Sequence, residues 1–398
     1  MNPQSSTSHT GDGHHRRPNQ QKTHARGLLL SMLGGAAVGA GAMSLGIWFG
    51  EHNRVLGAVF DTFEALRWFD LLWLPLHFFV VILLHELGHL GGGIARGMRF
   101  LLLIVGPLRL RRTVSGLKFD WFMRGDTFGG LAAAVPANGS GTPRDFLFLV
   151  LGGPLVSLLL AATAFALAYS ADGRLAAHMA IAGLLSTAIF CVTAVPMRAG
   201  GMLSDGMQAL ELLRGGTAVE QRNAMMASFA ESLSGVRPRD RDPAPLARSL
   251  ALTGQEPLRD ITAWSMAYQV ALDRRELAQA GEWIDRVAEG FEAYPSGFRQ
   301  ALACDVAYFN ARYRRDLATA TQWYALASGG MAEAAARGLT EAAIAWLRGD
   351  ADDAAAALAR GERGLGDVSD AGAIPLLQDE MKALRIDIER LRAAPRME

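Results

Sequence analysis

Four long uncharged stretches constrain this chain more than any other feature. Between Arg26 and Glu51 there is no Asp, Glu, Lys or Arg. From Asp70 to Arg96 the only one is Glu86, and the runs from Asp145 to Asp172 and from Arg174 to Arg198 are likewise free of them. A bilayer core of about 30 Å needs roughly 20 apolar residues. Each run therefore meets the length of a membrane-crossing helix, with spans expected at about 27–50, 71–95, 146–171 and 175–197. The first begins late and ends in no small-residue cleavage signal, which favours a retained anchor over a signal peptide.

Composition adds one qualification. Hydrophobic residues are 50% of the 398 and charged residues 20%, but nearly all long apolar runs precede Gly206, so the average joins two unlike halves. The 39 basic and 39 acidic residues cancel, leaving no basic excess that would point to nucleic acid. Cys191 and Cys304 are too few and too far apart for a disulfide framework, which suits a reducing compartment.

Orientation follows from the basic residues. Arg16, Arg17, Lys22 and Arg26 precede the first span, and Arg96, Arg99, Arg109, Arg111, Arg112, Lys118, Arg124 and Arg144 lie between the second and third. The loop between the first two spans has only Arg54 and Arg67, set against four acids, and the next loop only Arg174. The positive-inside rule then predicts a multi-pass cell-membrane protein with both termini in the cytoplasm. Residues 1–26 read as a disordered basic tail, in which His14 and His15 are tail polarity.

Into the second span the chain inserts "HELGH", His85 to His89. On a helix, imidazoles at i and i+4 share one face and can reach one tetrahedral metal, while Glu86 stands beside them, close enough to take a proton from a metal-activated water. Zinc would also satisfy polar groups that are costly in a bilayer. A hydrogen-bonded trio without metal is the competing reading; His77 and His178 are read that way, as hydrogen-bonding membrane histidines. Two histidines leave zinc short of a ligand. Asp205, in "VPMRAGGMLSDGMQ" after the fourth span, is the only acid near that boundary, and the proline and glycines let the chain turn back there. Alternatively, Ser204 and Asp205 cap a helix beginning near Met207.

With "HELGH" in one span, "GGPLVSLL" from Gly152 opening the next and "SDG" after the following one, the chain resembles the site-2 protease family of intramembrane zinc metallopeptidases over about Trp73 to Leu213. The resemblance implies zinc bound by His85, His89 and Asp205, Glu86 as catalytic base, and an active site within the membrane towards the cytosol. It also implies a small sheet between the second and third spans, where "RFLLLIVGPLRLRR", "GLKFDWFM" and "FGGLAAAVP" read as short strands. Such a sheet can take an unwound substrate segment by strand addition, or can simply pack on the bundle. Likewise Gly152 and Gly153 can serve only close helix packing. The chain departs from the family in having Ser157 where many members carry an asparagine, and "TAVPMRAGGMLS" where they carry an asparagine-proline pair.

The second half reads differently. Residues 215–250, including "GVRPRDRDPAP", look like a linker, and 251–398 like an all-α cytoplasmic domain. There "LDRRELAQAGEWIDRV" aligns with "RYRRDLATATQWYALA" forty positions on, and "LRGDADDAAAALARGE" follows at a shorter step. Helix pairs at this spacing resemble tetratricopeptide repeats. The expected protein is thus a polytopic α-helical membrane domain at 27–214 plus a helical-repeat domain. Its expected activity is zinc-dependent cleavage of transmembrane protein substrates in the lipid bilayer, with a cytoplasmic regulatory protein or peptide as partner for the repeats. A non-proteolytic scaffold with a structural zinc site is the rival, and a metal-ion transporter a third reading.

Overall fold

The computed structural model describes residues 54–121, 129–137, 141–199, 202–328 and 331–393, and these are mostly helical. The expected first span at 27–50, the basic tail and both of its histidines lie outside the described residues. By internal contacts the chain forms two units. In the first, the described residues are helix α1 (Arg54–Asp61), the 3-10 turn Thr62–Ala65 and the segment Ala168–Ala177. The second contains residues 67–167 and 178–393, with the site and nearly all of the elements below.

Among the described residues, three helices are long and apolar enough to cross a membrane: α2 (Leu74–Ile94, extended back to Trp68 by a 3-10 turn), α3 (Pro143–Ser170) and α4 (Gly173–Ala194). Only 28% to 33% of their most apolar windows is buried within the protein, which is compatible with a membrane setting. They coincide with the second to fourth expected spans to within about three residues. α2 and α3 meet backbone to backbone. A Cβ on Gly88 or Gly152 would strike the other helix, and one on Gly92 would strike the Phe148 carbonyl. This is the small-residue packing that membrane helices use in place of a hydrophobic driving force.

After α2 the chain folds back on it. Strand β1 (Met98–Val105) starts beside Gly93, and the turn at Gly106 reaches Phe79, near the middle of the Trp68–Ile94 segment. Gly106 takes a positive φ of 54°, which splits the first predicted strand run into β1 and β2 (Leu108–Thr113). With β3 (Gly116–Trp121) and β4 (Gly130–Pro136) these form an antiparallel sheet in the order β3-β2-β1-β4. Among the described residues β4 is therefore an edge strand. On β3 the alternating Leu117, Phe119 and Trp121 are exposed, while Asp120, from the opposite face, pairs with Arg109 and Arg111 at 3.1 and 2.9 Å.

A short ladder of β5 (Arg198–Ala199) and β6 (Met202–Leu203) leads into α5 (Asp205–Arg214). One core then joins the elements, formed by Leu90 of α2, Met98, Ala134, Phe146 and Val150 of α3, and Ala209 and Leu212 of α5. The stretch 215–250, expected to be a linker, is instead two packed helices, α6 (Thr217–Leu233) and α7 (Pro243–Ala251). Its charges misled because they have internal partners. Arg237 binds Asp273 and Asp379, the latter at 2.9 Å, and the buried Arg241 binds Ser232.

The rest is α8 (Pro257–Asp273), α9 (Leu277–Gly290), α10 (Arg299–Phe309), α11 (Leu317–Leu326), α12 (Ala334–Leu347), α13 (Ala351–Arg363) and α14 (Ile374–Ala393). They pack in successive pairs, α8 on α9, α10 on α11 and α12 on α13, around one core that includes Ile261, Ile284, Phe309, Leu339 and Leu384. The turn inside each pair carries a left-handed residue: Arg275 (φ 64°), Arg315 (φ 55°) and Gly349 (φ 85°). Five residues after each comes a fully buried alanine, Ala280, Ala320 and Ala354. The aligned sequence segments thus share backbone conformation as well as letters.

Candidate metal centre

Helix geometry puts His85 and His89 on one face of α2, and both are buried. Their Nε2 atoms stand 3.1 Å apart. The Oδ2 of Asp205, from the first turn of α5, lies 3.3 Å from one and 3.4 Å from the other. Ligands on a tetrahedral zinc at about 2.0–2.2 Å are separated by about 1.6 bond lengths, or about 3.3–3.6 Å. The three atoms have nearly that spacing.

Their hydrogen bonds bear on the same point. His89 Nδ1 lies 2.9 Å from the Leu149 carbonyl, which can only accept, so Nδ1 carries a hydrogen and Nε2 is the ring nitrogen turned to Asp205. His85 Nδ1 is 2.8 Å from Ser157 Oγ, which can accept in the same way. Asp205 Oδ2 is buried without a hydrogen-bond donor. Three donor atoms facing one point could hold a metal ion, and protonated imidazoles paired with the carboxylate are the metal-free alternative. The donor set and its spacing fit a metal ion.

α3 supports both imidazoles from one face. Leu149, Gly153 and Ser157 recur every fourth residue. The first accepts from His89, the third touches His85, and Gly153 leaves the room that the His89 ring occupies, where a Cβ would collide with it. Ser157 is itself held, its carbonyl accepting from the buried Ser186 Oγ at 2.7 Å. Glu86, also buried, turns towards the sheet. Its carboxylate accepts from the Ala132 backbone, and a Cβ on Gly130 would overlap its Oε1. The edge strand β4 therefore crosses the Glu86 side chain.

All four residues singled out by sequence, His85, Glu86, His89 and Asp205, are together. Ser204 does cap α5, accepting from the Met207 amide at 3.2 Å, so the helix-cap reading holds for Ser204 while Asp205 faces the imidazoles. His77 and His178 lie elsewhere. Their rings stack at 5.1 Å, His77 binds the Trp73 carbonyl, and His178 lies 3.4 Å from buried Asp70. Sequence reasoning left out the supporting roles of Leu149 and Gly153 and that of Gly130. The four-residue spacing of Gly153 and Ser157 was the available signal for the α3 face. No family model, curated protein or solved structure matches this chain.

Proposed function

We propose that the protein is a zinc-dependent intramembrane endopeptidase of the site-2 protease kind, cutting peptide bonds in or near transmembrane segments. The observation that carries this reading is the near-tetrahedral spacing of His85 Nε2, His89 Nε2 and Asp205 Oδ2, with both histidines on a helix apolar enough to cross a membrane. A nitrogen-rich set with one carboxylate oxygen suits zinc. Zinc, when bound, supplies Lewis acidity towards water and the scissile carbonyl.

The chain's own residues do the rest. Leu149 and Ser157 fix the two rings so that their Nε2 lone pairs point inward. Glu86 accepts a proton from the attacking water and returns it to the leaving amine. β4 offers an open edge against Glu86, on which a substrate backbone can pair once its helix has unwound, and the helix otherwise shields its own peptide bonds. The positive-inside pattern supports a site on the cytosolic side of a cell membrane. The successive pairs from α8 to α13, with their recurring turns, support a tetratricopeptide-like domain that receives a cytoplasmic regulator.

The test uses the full chain in lipid nanodiscs, with metal content measured beside cleavage of a single-pass peptide. Wild type should hold one zinc and cleave. Glu86→Gln should keep the zinc and lose cleavage, whereas Asp205→Ala should lose both. Cleavage by Glu86→Gln would refute the proposed base. Zinc without any hydrolysis in wild type would favour the scaffold reading.

A further inference from the structure

Asp205 heads a helix of only ten residues, yet its Oδ2 must meet two imidazoles carried by another helix. Its N-terminal end is held locally. Ser204 Oγ donates to the Val195 carbonyl at 2.7 Å and accepts from the Met197 amide at 3.0 Å. Gly206 has no Cβ, which lets the Ala194 carbonyl approach. These contacts fix where α5 starts; its direction is then set by the packing of Ala209 and Leu212 in the shared core and by whatever holds its far end.

The far end is held by the helical half. Arg259 of α8 is only 5% exposed; it donates to the Glu211 carboxylate of α5 and, at 2.9 Å, to the Ala218 carbonyl just beyond α5. Glu211 lies six residues, about 9 Å, along the helix from Asp205. A buried ion pair is poor value as a source of stability, since apolar residues of like volume often serve as well or better, and its best-attested use is to fix register. The helical half also grips the sheet. Arg111 of β2 donates to the Asp367 carbonyl at 2.5 Å, Lys118 of β3 pairs with the Asp367 carboxylate, and the Val114 amide binds the Val368 carbonyl at 3.0 Å. That sheet carries β4 against Glu86.

We propose that the helical half is part of the metal site's scaffold, with Arg259 as a positioning residue that aims Asp205 by holding Glu211. The inference rests on the metal reading of His85, His89 and Asp205. It assigns the second half a role beyond recruitment: whatever binds or bends α8 alters metal affinity.

The experiment compares zinc affinity by chelator competition, and the melting temperature of the metal-free protein, in full-length chains in nanodiscs. Arg259→Met should weaken zinc by about 10–100-fold, the usual range for a lost supporting contact around a metal. Arg259→Lys, which keeps the charge but not the forked donor, should recover part of that and serves as the graded variant if the methionine chain folds poorly. Leu339→Ala empties a core position of the same half and should lower the melting temperature while sparing zinc. Arg248→Ala, at an exposed pair with Glu220, should change neither. Wild-type zinc affinity in both Arg259 variants overturns the proposal, as does an equal loss in Leu339→Ala. If wild type itself binds no metal, the underlying reading falls first, and the two failures are told apart.

Discussion

Adding one methyl group at Gly153 should empty the metal centre. The Cβ of Gly153→Ala would lie 2.6 Å from His89 Cε1 and 2.7 Å from Cδ2, and closer still to Nε2. Carbon atoms in ordinary contact need about 3.4 Å or more. The ring must therefore retreat by about 0.8 Å, breaking its bond to the Leu149 carbonyl, whereas metal–ligand distances tolerate about 0.2 Å. The overpacking itself should cost the fold about 1–3 kcal/mol, and zinc affinity should fall by at least about 10–100-fold. Gly91→Ala, on α2 with nothing within 4 Å of the added atom, is the control and should bind zinc as wild type does. Chelator competition on both variants gives the affinities, and melting of the metal-free proteins separates loss of metal from loss of fold. Wild-type affinity in Gly153→Ala would mean that His89 is not a ligand in this pose.

Gly130→Ala should do the opposite: its Cβ displaces the Glu86 carboxylate and not an imidazole, so zinc stays while cleavage drops by about 10²–10⁴-fold; loss of metal instead would refute that division. In the helical half, burial alone would raise the Asp273 carboxyl, but hydrogen bonds from Arg237 and the Arg239 amide outweigh it and hold it below the usual carboxylate range. Stability from this contact is complete above the ordinary carboxyl value near 4 and is lost as pH falls through the lowered folded value. Asp273→Asn should thus cost about 3 kcal/mol at neutral pH and flatten the acid limb of urea-unfolding stability, and an unchanged limb would count against it. Gly349→Ala, forcing a side chain into φ 85°, should cost about 1 kcal/mol in thermal unfolding; no loss would show that the turn can adopt another shape.

The centre was legible where a residue type announces its own chemistry. His85, Glu86 and His89 stand at helical spacing in an otherwise uncharged apolar run, and Asp205 follows the proline and glycines that end the last of the apolar runs. The supporting residues were harder to see because two act by what they lack: Gly130 and Gly153 leave space for Glu86 and His89, and a sequence does not say which neighbour fills it. The linker reading failed for a related reason. Arg237 and Arg241 look solvated in one dimension and are satisfied by Asp273, Asp379 and Ser232, up to 142 positions away. The strands were visible from glycine punctuation, but which one forms the edge at Glu86 depended on pairing order, which adjacent letters do not encode.

Because β1 runs back beside α2 as far as Phe79, the sheet extends about 22 Å from the Ile94 end of that helix, well within the thickness of a bilayer. If α2 crosses a bilayer as proposed, the outward amides and carbonyls of β4 other than the Ala132 amide bonded to Glu86 sit at a level where lipid offers no partner, and each one left bare in hydrocarbon costs several kcal/mol. Such an edge is tolerable only beside a pool of solvent or an incoming strand. The proposed hydrolysis would need the same pool, since water is its second reactant. On the proposed function the resting protein would therefore keep a wet inlet along β4, bounded on the α2–α3 side by the glycine-tight contact at Gly88 and Gly152, and an arriving peptide would displace part of that column of water as it pairs with the strand's edge.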